Sequence, residues 1–372
     1  MVAHPKVTAV IPAHNMASYI ERALGSALGQ TYSNLDILVI DDGSDDDTAR
    51  IARRIADEHP HVRVVTTENA GVAAARNLGT QMADSLYVAY LDADDLWHPL
   101  KIEKQVEALA AHGHSPAWGS CYTLHRMIDS FDIVLDDAPS SHERGDFFEE
   151  HLVWNPVGNG SNLLVRRDLA LAVGGFNSEY AKAGIGGCED LEFQLKLLRR
   201  SKMELVREFL VGYRLHTAQM SSDIVMMRLS KLAVIKNIVG DEGLAEEVRE
   251  RALVQAYLTL AKGYFLVRDW RAAAKSVAAS FAVDRIETTR KFGRFFRREF
   301  GYWGVQLKRL LQPPATKGEP LRSFAAFGPC ERLDVRTRHK LGYRSSLTRQ
   351  AEARSSRQPQ AVQGPASQNP IN

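Results

Sequence analysis

Apolar positions in the first half of the chain come in short, near-continuous runs separated by stretches with helical spacing. Residues 7–11 form a compact apolar run that reads as a buried strand. A Ser-x-x-Glu capping-box pattern, Ser18 and Glu21, follows, with Ile20, Leu24, Ala27 and Leu28 spaced for one helix face. Residues 37–40 repeat the strand pattern and end in Asp41-Asp42-Gly43-Ser44; Ile51 and Ile55 then mark a helix after the acidic start Asp45, Asp46 and Asp47. A third strand is predicted at 62–66, an alanine-rich helix at 70–83, and a fourth strand at 86–91 that runs into Asp92-Ala93-Asp94-Asp95. Alternation of this kind predicts an α/β domain with a mostly parallel, Rossmann-like sheet and flanking helices.

After Pro99 a helix carrying Ile102, Val106 and Leu109 closes at Gly113, and residues 115–160 read as irregular, with Pro and Gly punctuation. A strand is predicted at 161–165, a turn at Gly174-Gly175-Phe176, a helix starting at Glu189-Asp190, and a strand at 205–215 leading to His216. Beyond Asp223 the pattern is nearly continuous helix, with a hairpin over 252–282. From Gln312 the chain is rich in Pro, Gln, Ser, Arg and Gly with few large apolar residues, a composition that favours disorder. Three parts follow: an α/β domain at 1–223, a helical extension at 224–311, and a largely disordered basic tail at 312–372.

Composition adds little chemistry, but charge is uneven. The tail from Gln312 carries ten Lys/Arg against four Asp/Glu, leaving 37 against 41 for the rest. Three widely spaced cysteines, Cys121, Cys188 and Cys330, suggest neither zinc nor a disulfide framework and point to a reducing, cytoplasmic setting. No run approaches the roughly 20 apolar residues of a membrane span.

Three acidic sites carry candidate chemistry. Strand ends in an open parallel sheet converge on one crevice, which brings Asp41-Asp42 and Asp92-Ala93-Asp94 together. An Asp-x-Asp turn either caps the next helix or holds Mg2+ or Mn2+ against phosphate oxygens. By alternation Asp92 and Asp94 share a side that Asp95 does not. Asp41-Asp42 is either a loop cap or an acceptor of hydrogen bonds from a base or ribose. Arg76 is a solvated arginine or a phosphate clamp. Glu189-Asp190, at a helix start, is a cap or a general base in its ionised form. His216 after a strand is structural, or a metal ligand or phosphate donor.

In order, Val10-Ile11-Pro12-Ala13-His14-Asn15, Val39-Ile40-Asp41-Asp42-Gly43-Ser44, Asn69-Ala70-Gly71 with Ala75-Arg76-Asn77, Leu91-Asp92-Ala93-Asp94-Asp95, Gly174-Gly175-Phe176 and Glu189-Asp190 resemble the family 2 glycosyltransferases over residues 6–220. The resemblance implies a GT-A fold, inverting transfer from a nucleotide-diphosphate sugar (UDP by default), and a divalent metal. It implies that Pro12, Asn15, Asp41, Asp42, Arg76 and Asp92 hold the nucleotide, that Asp94 and His216 hold the metal, and that Asp190 is the base. Glu189, Trp154, Asn155 and Asn159 are candidates for the acceptor side. Where processive members carry Gln-x-x-Arg-Trp this chain has Leu197-Leu198-Arg199-Arg200-Ser201, which favours single-sugar addition in cell-surface glycan or glycolipid synthesis.

A sugar nucleotidyltransferase would show a Gly-rich, Arg-containing loop after the first strand, and an oxidoreductase a G-x-G-x-x-G; Pro12-Ala13-His14-Asn15 stands there instead. A non-catalytic nucleotide-sugar binder stays open. The expected acceptor is a glycan or a lipid-linked one, with no nucleic acid. Residues 287–311 interleave aromatics with Arg and Lys, a composition for peripheral contact with the inner face of the cytoplasmic membrane or for packing on the catalytic domain.

Overall fold

The computed structural model describes residues 4–139, 142–216, 219, 223–240, 243–293 and 322–331. Strands β1 (Val7–Ala13), β2 (Leu35–Asp42), β3 (Val62–Thr67) and β4 (Tyr87–Tyr90) alternate with helices α1 (Ile20–Leu28), α2 (Thr48–Glu58) and α3 (Val72–Met82). A two-residue β5 (Leu96–Trp97) and α4 (Lys101–Ala110) lead to β6 (Trp118–Ile128) and β7 (Val134–Asp137). Then come α5 (Phe148–Val153), β8 (Leu164–Arg166), α6 (Arg167–Ala172), α7 (Glu179–Lys182), α8 (Glu189–Leu198) and β9 (Lys202–Arg214). The helical extension is α9 (Ile224–Val239), α10 (Glu246–Leu266) and α11 (Trp270–Val283).

One sheet runs β3-β2-β1-β4-β8-β6-β9-β5, with β7 beside β6. The first four strands are parallel, as the alternating pattern predicts, while β8 lies antiparallel to both β4 and β6. Side-chain alternation splits the core by face. Val10, Leu38, Ile40, Val88 and Tyr90 face α3 and α8, while Ala9, Ile11, Ile37, Val39 and Ala89 face α1 and α4.

Three expectations change. The stretch predicted as irregular holds β6, an eleven-residue strand that pairs with β7, β8 and β9. Polar residues hide it: Arg126 lies fully buried inside, ion-paired with Asp137 at 3.1 Å and sandwiched between the rings of Phe209 and Phe327. The strand predicted at 161–165 begins as a 3-10 turn, Gly160–Asn162, before β8. The capping box of α1 does not form: its N-cap is Tyr19, without a side-chain cap, and Glu21 pairs with Arg54 at 2.8 Å instead.

The extension does not stand apart from the catalytic sheet. Leu232, Ile235, Ile238, Ala252 and Leu260 belong to the same buried cluster as Phe193 and Leu197 of α8. Within the tail expected to be largely disordered, residues 322–331 dock on the sheet. Ser323 bridges Ile133, Phe209 N donates to Pro329 O at 2.7 Å, and Phe324 and Phe327 fill a cluster with Leu96, Ile128 and Val134. The remainder of 312–372, and residues 294–311 of the aromatic-basic stretch expected at a membrane, lie outside the described residues. No helix among the described residues is long and apolar enough to cross a membrane.

Close packing of α3 on β1 depends on Gly79. A Cβ there would meet Val10 Cγ1 at 2.3 Å. Gly79→Ala is expected to lower stability by about 1–3 kcal/mol, since overpacking outweighs the helix propensity gained. Urea denaturation of the two proteins checks it.

Candidate functional site

The carboxyl ends of β1, β2 and β4 open into a cleft of about 740 Å³, the size of a small-molecule site. Pro12, His14, Asp42 and Asn69 line its β1–β2 end, Arg76, Asp92 and Asp94 its middle, and Asp190 with Lys231 the part beside α8 and α9.

The turn after β4 is held from below. Asp95 is buried, accepting the Ser161 hydroxyl at 2.6 Å and the Arg214 backbone N–H at 2.9 Å. Burial first, then the charges of Asp94 and Asp92, push its carboxyl well above the usual range. Arg214 Nε donates to the Asp94 carbonyl at 2.5 Å, and Asp92 N–H to Ser161 Oγ at 3.0 Å. With its backbone fixed at both ends, the turn presents Asp94 to the cleft, where Oδ2 faces His216 Nε2 at 2.8 Å. The His216 ring rests beside Tyr19, centroids 5.0 Å apart.

Arg76 connects the turn to α8. It is 3% exposed, and its terminal nitrogens reach Asp92 at 2.6 Å and Glu189 at 2.9 Å. Burial opposes its charge, but the two carboxylates overcome that and raise its pKa. Its guanidinium lies over the Phe176 ring, 5.1 Å to the centroid. The Gly174-Gly175-Phe176 sequence is what places that ring. Both glycines adopt positive φ (80° and 65°), and the Asn77 amide then holds Phe176 by its backbone N–H and carbonyl, each at 2.8 Å. Asn77 is the residue after Arg76, so the two distant motifs build one support.

Asp190 opens α8 beside this pair, its Oδ1 accepting Leu191 N–H at 2.7 Å. Burial, then the neighbouring Glu189 charge, push its carboxyl up to about 7, with Arg76 pulling the other way. Burial likewise raises the pKa of Asp92 against the pull of Arg76, and lowers that of cleft-lining His125 to about 4, keeping its ring neutral at pH 7. Asn159 also lines the cleft, 9% exposed, and neither side-chain polar atom meets a partner among the described residues.

The sequence-predicted residues divide accordingly. Asp42, Pro12, Arg76, Asp92, Asp94, Asp190, Asn155 and Asn159 meet at the cleft. Asp41 does not: it is fully buried on the opposite sheet face, by the same alternation that turns Asp42 inward. Asp42 fixes the loop before α3 by accepting Ala70 and Gly71 N–H, both at 2.8 Å. Asn15 stands exposed at the rim with positive φ, its Oδ1 accepting Asp45 N–H. Glu189 also lines the cleft, 6% exposed, its carboxylate meeting Arg76 and Gly187 N–H. Trp154, 51% exposed, is not among the cleft-lining residues, whereas Asn155 beside it is. Unforeseen were His125, on the unpredicted strand, and Arg228 and Lys231, on the extension.

Among the described residues no cluster of three or more His, Cys, Asp or Glu is arranged to hold a metal ion. The Asp94–His216 pair, one carboxylate and one imidazole, fits a hard divalent cation that completes its shell with phosphate oxygens and water.

Comparison with known proteins agrees with this architecture. Residues 8–168 match the family described as Glycosyl transferase family 2. An uncharacterized glycosyltransferase of Haemophilus influenzae is 32% identical over 231 residues, 59% of this chain and 68% of the relative. Another, of Rickettsia typhi, is 32% identical over 219 residues, covering 58% and 65%, so the chain spans about two-thirds of these relatives' length. A chondroitin synthase of Escherichia coli is 39% identical over 125 residues, 34% of this chain and 18% of the synthase. Among solved structures, a mannosyltransferase of Pyrobaculum calidifontis, in complex with GDP-Man and Mn2+, superposes with a TM-score of 0.56 at 20% identity, covering 80% and 81% of the two chains. Residues 1–349 of TarS from S. aureus, in complex with UDP-GlcNAc, give a TM-score of 0.56 at 16% identity, covering 74% and 81%. The fold is therefore GT-A, and the chain belongs to glycosyltransferase family 2.

Proposed function

We propose that the chain transfers one sugar, with inversion, from a nucleotide-diphosphate sugar to an acceptor hydroxyl. The observation that carries this reading is the convergence on one cleft of Asp42, Asp92, Asp94 and Asp190 from three separate segments, with Arg76 tying the turn after β4 to the start of α8.

The nucleotide lies over Pro12 and Asp42, with Asp92 at the ribose, which leaves the diphosphate at Asp94 and His216. Asp94 and His216 would hold a divalent cation, which would supply positive charge to the departing diphosphate. Asp190 takes the acceptor proton as that oxygen bonds to the anomeric carbon from the face opposite the leaving group. The bond from that carbon to the diphosphate oxygen breaks, and the nucleotide diphosphate leaves with the electron pair. A carboxyl poised near 7 suits a base that must be ionised yet retain proton affinity. Arg76 acts on position: its charge holds Asp92 in the nucleotide wall and balances Glu189 beside the base. The orphaned Asn159 amide suits a sugar hydroxyl, because a buried amide left without partners costs about 1–3 kcal/mol.

A thermal-shift screen of UDP- and GDP-sugars with and without Mn2+ tests the reading. One nucleotide sugar should raise the melting temperature by several degrees, and only with the cation present, because a ligand bound to the folded state alone stabilises it. Failure of every nucleotide sugar to shift the melt would remove the donor-site assignment.

A further inference from the structure

The helical extension supplies part of the cleft wall. On α9, Met227, Arg228 and Lys231 share one helix face and line the cleft that also holds Asp190. That face is seated firmly on the start of α8. Buried Ser230 donates to Gly186 O at 2.8 Å, and the Cys188 thiol to Met227 O at 3.4 Å. Burial first, then the Asp190 charge, raises the pKa of the Cys188 thiol, with Lys231 pulling the other way.

Lys231 contrasts with several lysines of residues 1–223. Lys104, Lys182 and Lys196 each pair with a glutamate, and buried Lys101 donates to Gln105. Among the described residues no hydrogen bond or ion pair holds the Lys231 ammonium. Burial first lowers its pKa, with Cys188 pulling the other way and the Arg228 and Lys291 cations adding to the fall. Arg228 donates to Thr259 O at 3.0 Å, which anchors its guanidinium in the same wall. The Lys231 ammonium, held in a partly closed cleft with no ion pair, loses hydration without gaining a counter-charge. Such a group is relieved by an anion entering from the open side.

We propose that α9 forms an anion subsite for the acceptor: the substrate whose hydroxyl meets Asp190 carries a phosphate or carboxylate that pairs with Lys231, assisted by Arg228. The inference rests on the transferase reading above and deepens it. In that reading the donor diphosphate is met through a cation at Asp94 and His216, whereas α9 packs against the start of α8, which carries the base.

The test uses the full chain saturated with UDP and Mn2+, or GDP and Mn2+, so that the donor site is filled. Binding of sn-glycerol 3-phosphate and of methyl glucuronide is then measured by calorimetry. At least one probe should bind without displacing the nucleotide, and which one binds tells phosphate from carboxylate. Lys231→Met should weaken that binding about tenfold or more, and Lys231→Arg should restore most of it, with melting temperature as the control for folding. Absence of binding by either probe, displacement of the nucleotide by the probe, or an affinity within twofold in Lys231→Met would each overturn the anion subsite. Should neither nucleotide bind the wild-type protein, the donor-site reading fails and this inference with it.

Discussion

Asp190→Asn is expected to lower kcat by about 10²–10⁴-fold while leaving nucleotide-sugar affinity within a few-fold of wild type. The amide keeps the shape at the start of α8 and its contact with Leu191 N–H, but it cannot take the acceptor proton. Wild-type kcat/KM should climb with pH as the Asp190 carboxyl, pushed up to about 7 by burial and then by Glu189, loses its proton. A cation bound at Asp94 would shift this limb to lower pH, and the Asn variant should lack the limb. The sign for stability is opposite to that of an ordinary salt-bridged aspartate. Its folded-state value lies above the unfolded one, so the folded protein binds the proton more tightly and loses stability as pH rises toward about 7. Asp190→Asn should therefore melt no lower than wild type at neutral pH, which separates lost chemistry from lost fold. Pre-steady-state transfer assays across pH decide it. A variant that retains more than about a tenth of wild-type kcat, or the same ascending limb, removes Asp190 as the base.

The half of the fold with parallel strands was legible because buried strands write themselves as apolar runs and flanking helices as spaced ones. β6 was not, since its buried Arg126 reads as a surface residue until Asp137 and the rings of Phe209 and Phe327 are in place around it. At the site, strand alternation tells that Asp41 and Asp42 face opposite sides, but only the assembled sheet tells which side holds the cleft. The Gly174-Gly175-Phe176 and Arg76-Asn77 motifs are each visible in sequence; that one exists to support the other is a tertiary fact, carried by the Asn77 amide. Lys231 has no local signature at all. It lies on a helix of the extension and reaches the cleft only because α9 packs on α8.

Arg76→Leu carries the largest expected cost to stability. Its guanidinium is the counter-charge for two carboxylates, Asp92 at 2.6 Å and Glu189 at 2.9 Å, and Glu189 is almost fully buried. Removing one partner from a buried ion cluster leaves charge with no compensation, worth about 3–5 kcal/mol, whereas replacing the whole cluster by apolar groups costs far less. The loss should vary with pH in a definite direction. Without Arg76 the carboxylates hold protons more tightly in the folded state than in the unfolded one, so the variant regains stability as pH falls and is weakest in alkali. Adding Glu189→Gln should recover a substantial part of the deficit, because one of the stranded charges is then gone, and the coupling between the two changes measures their ion pair. Urea denaturation of the two single variants and the double variant at several pH values gives that coupling. Additive effects, or a destabilisation independent of pH, would mean that Arg76 acts by packing on Phe176 and not through the carboxylates it joins.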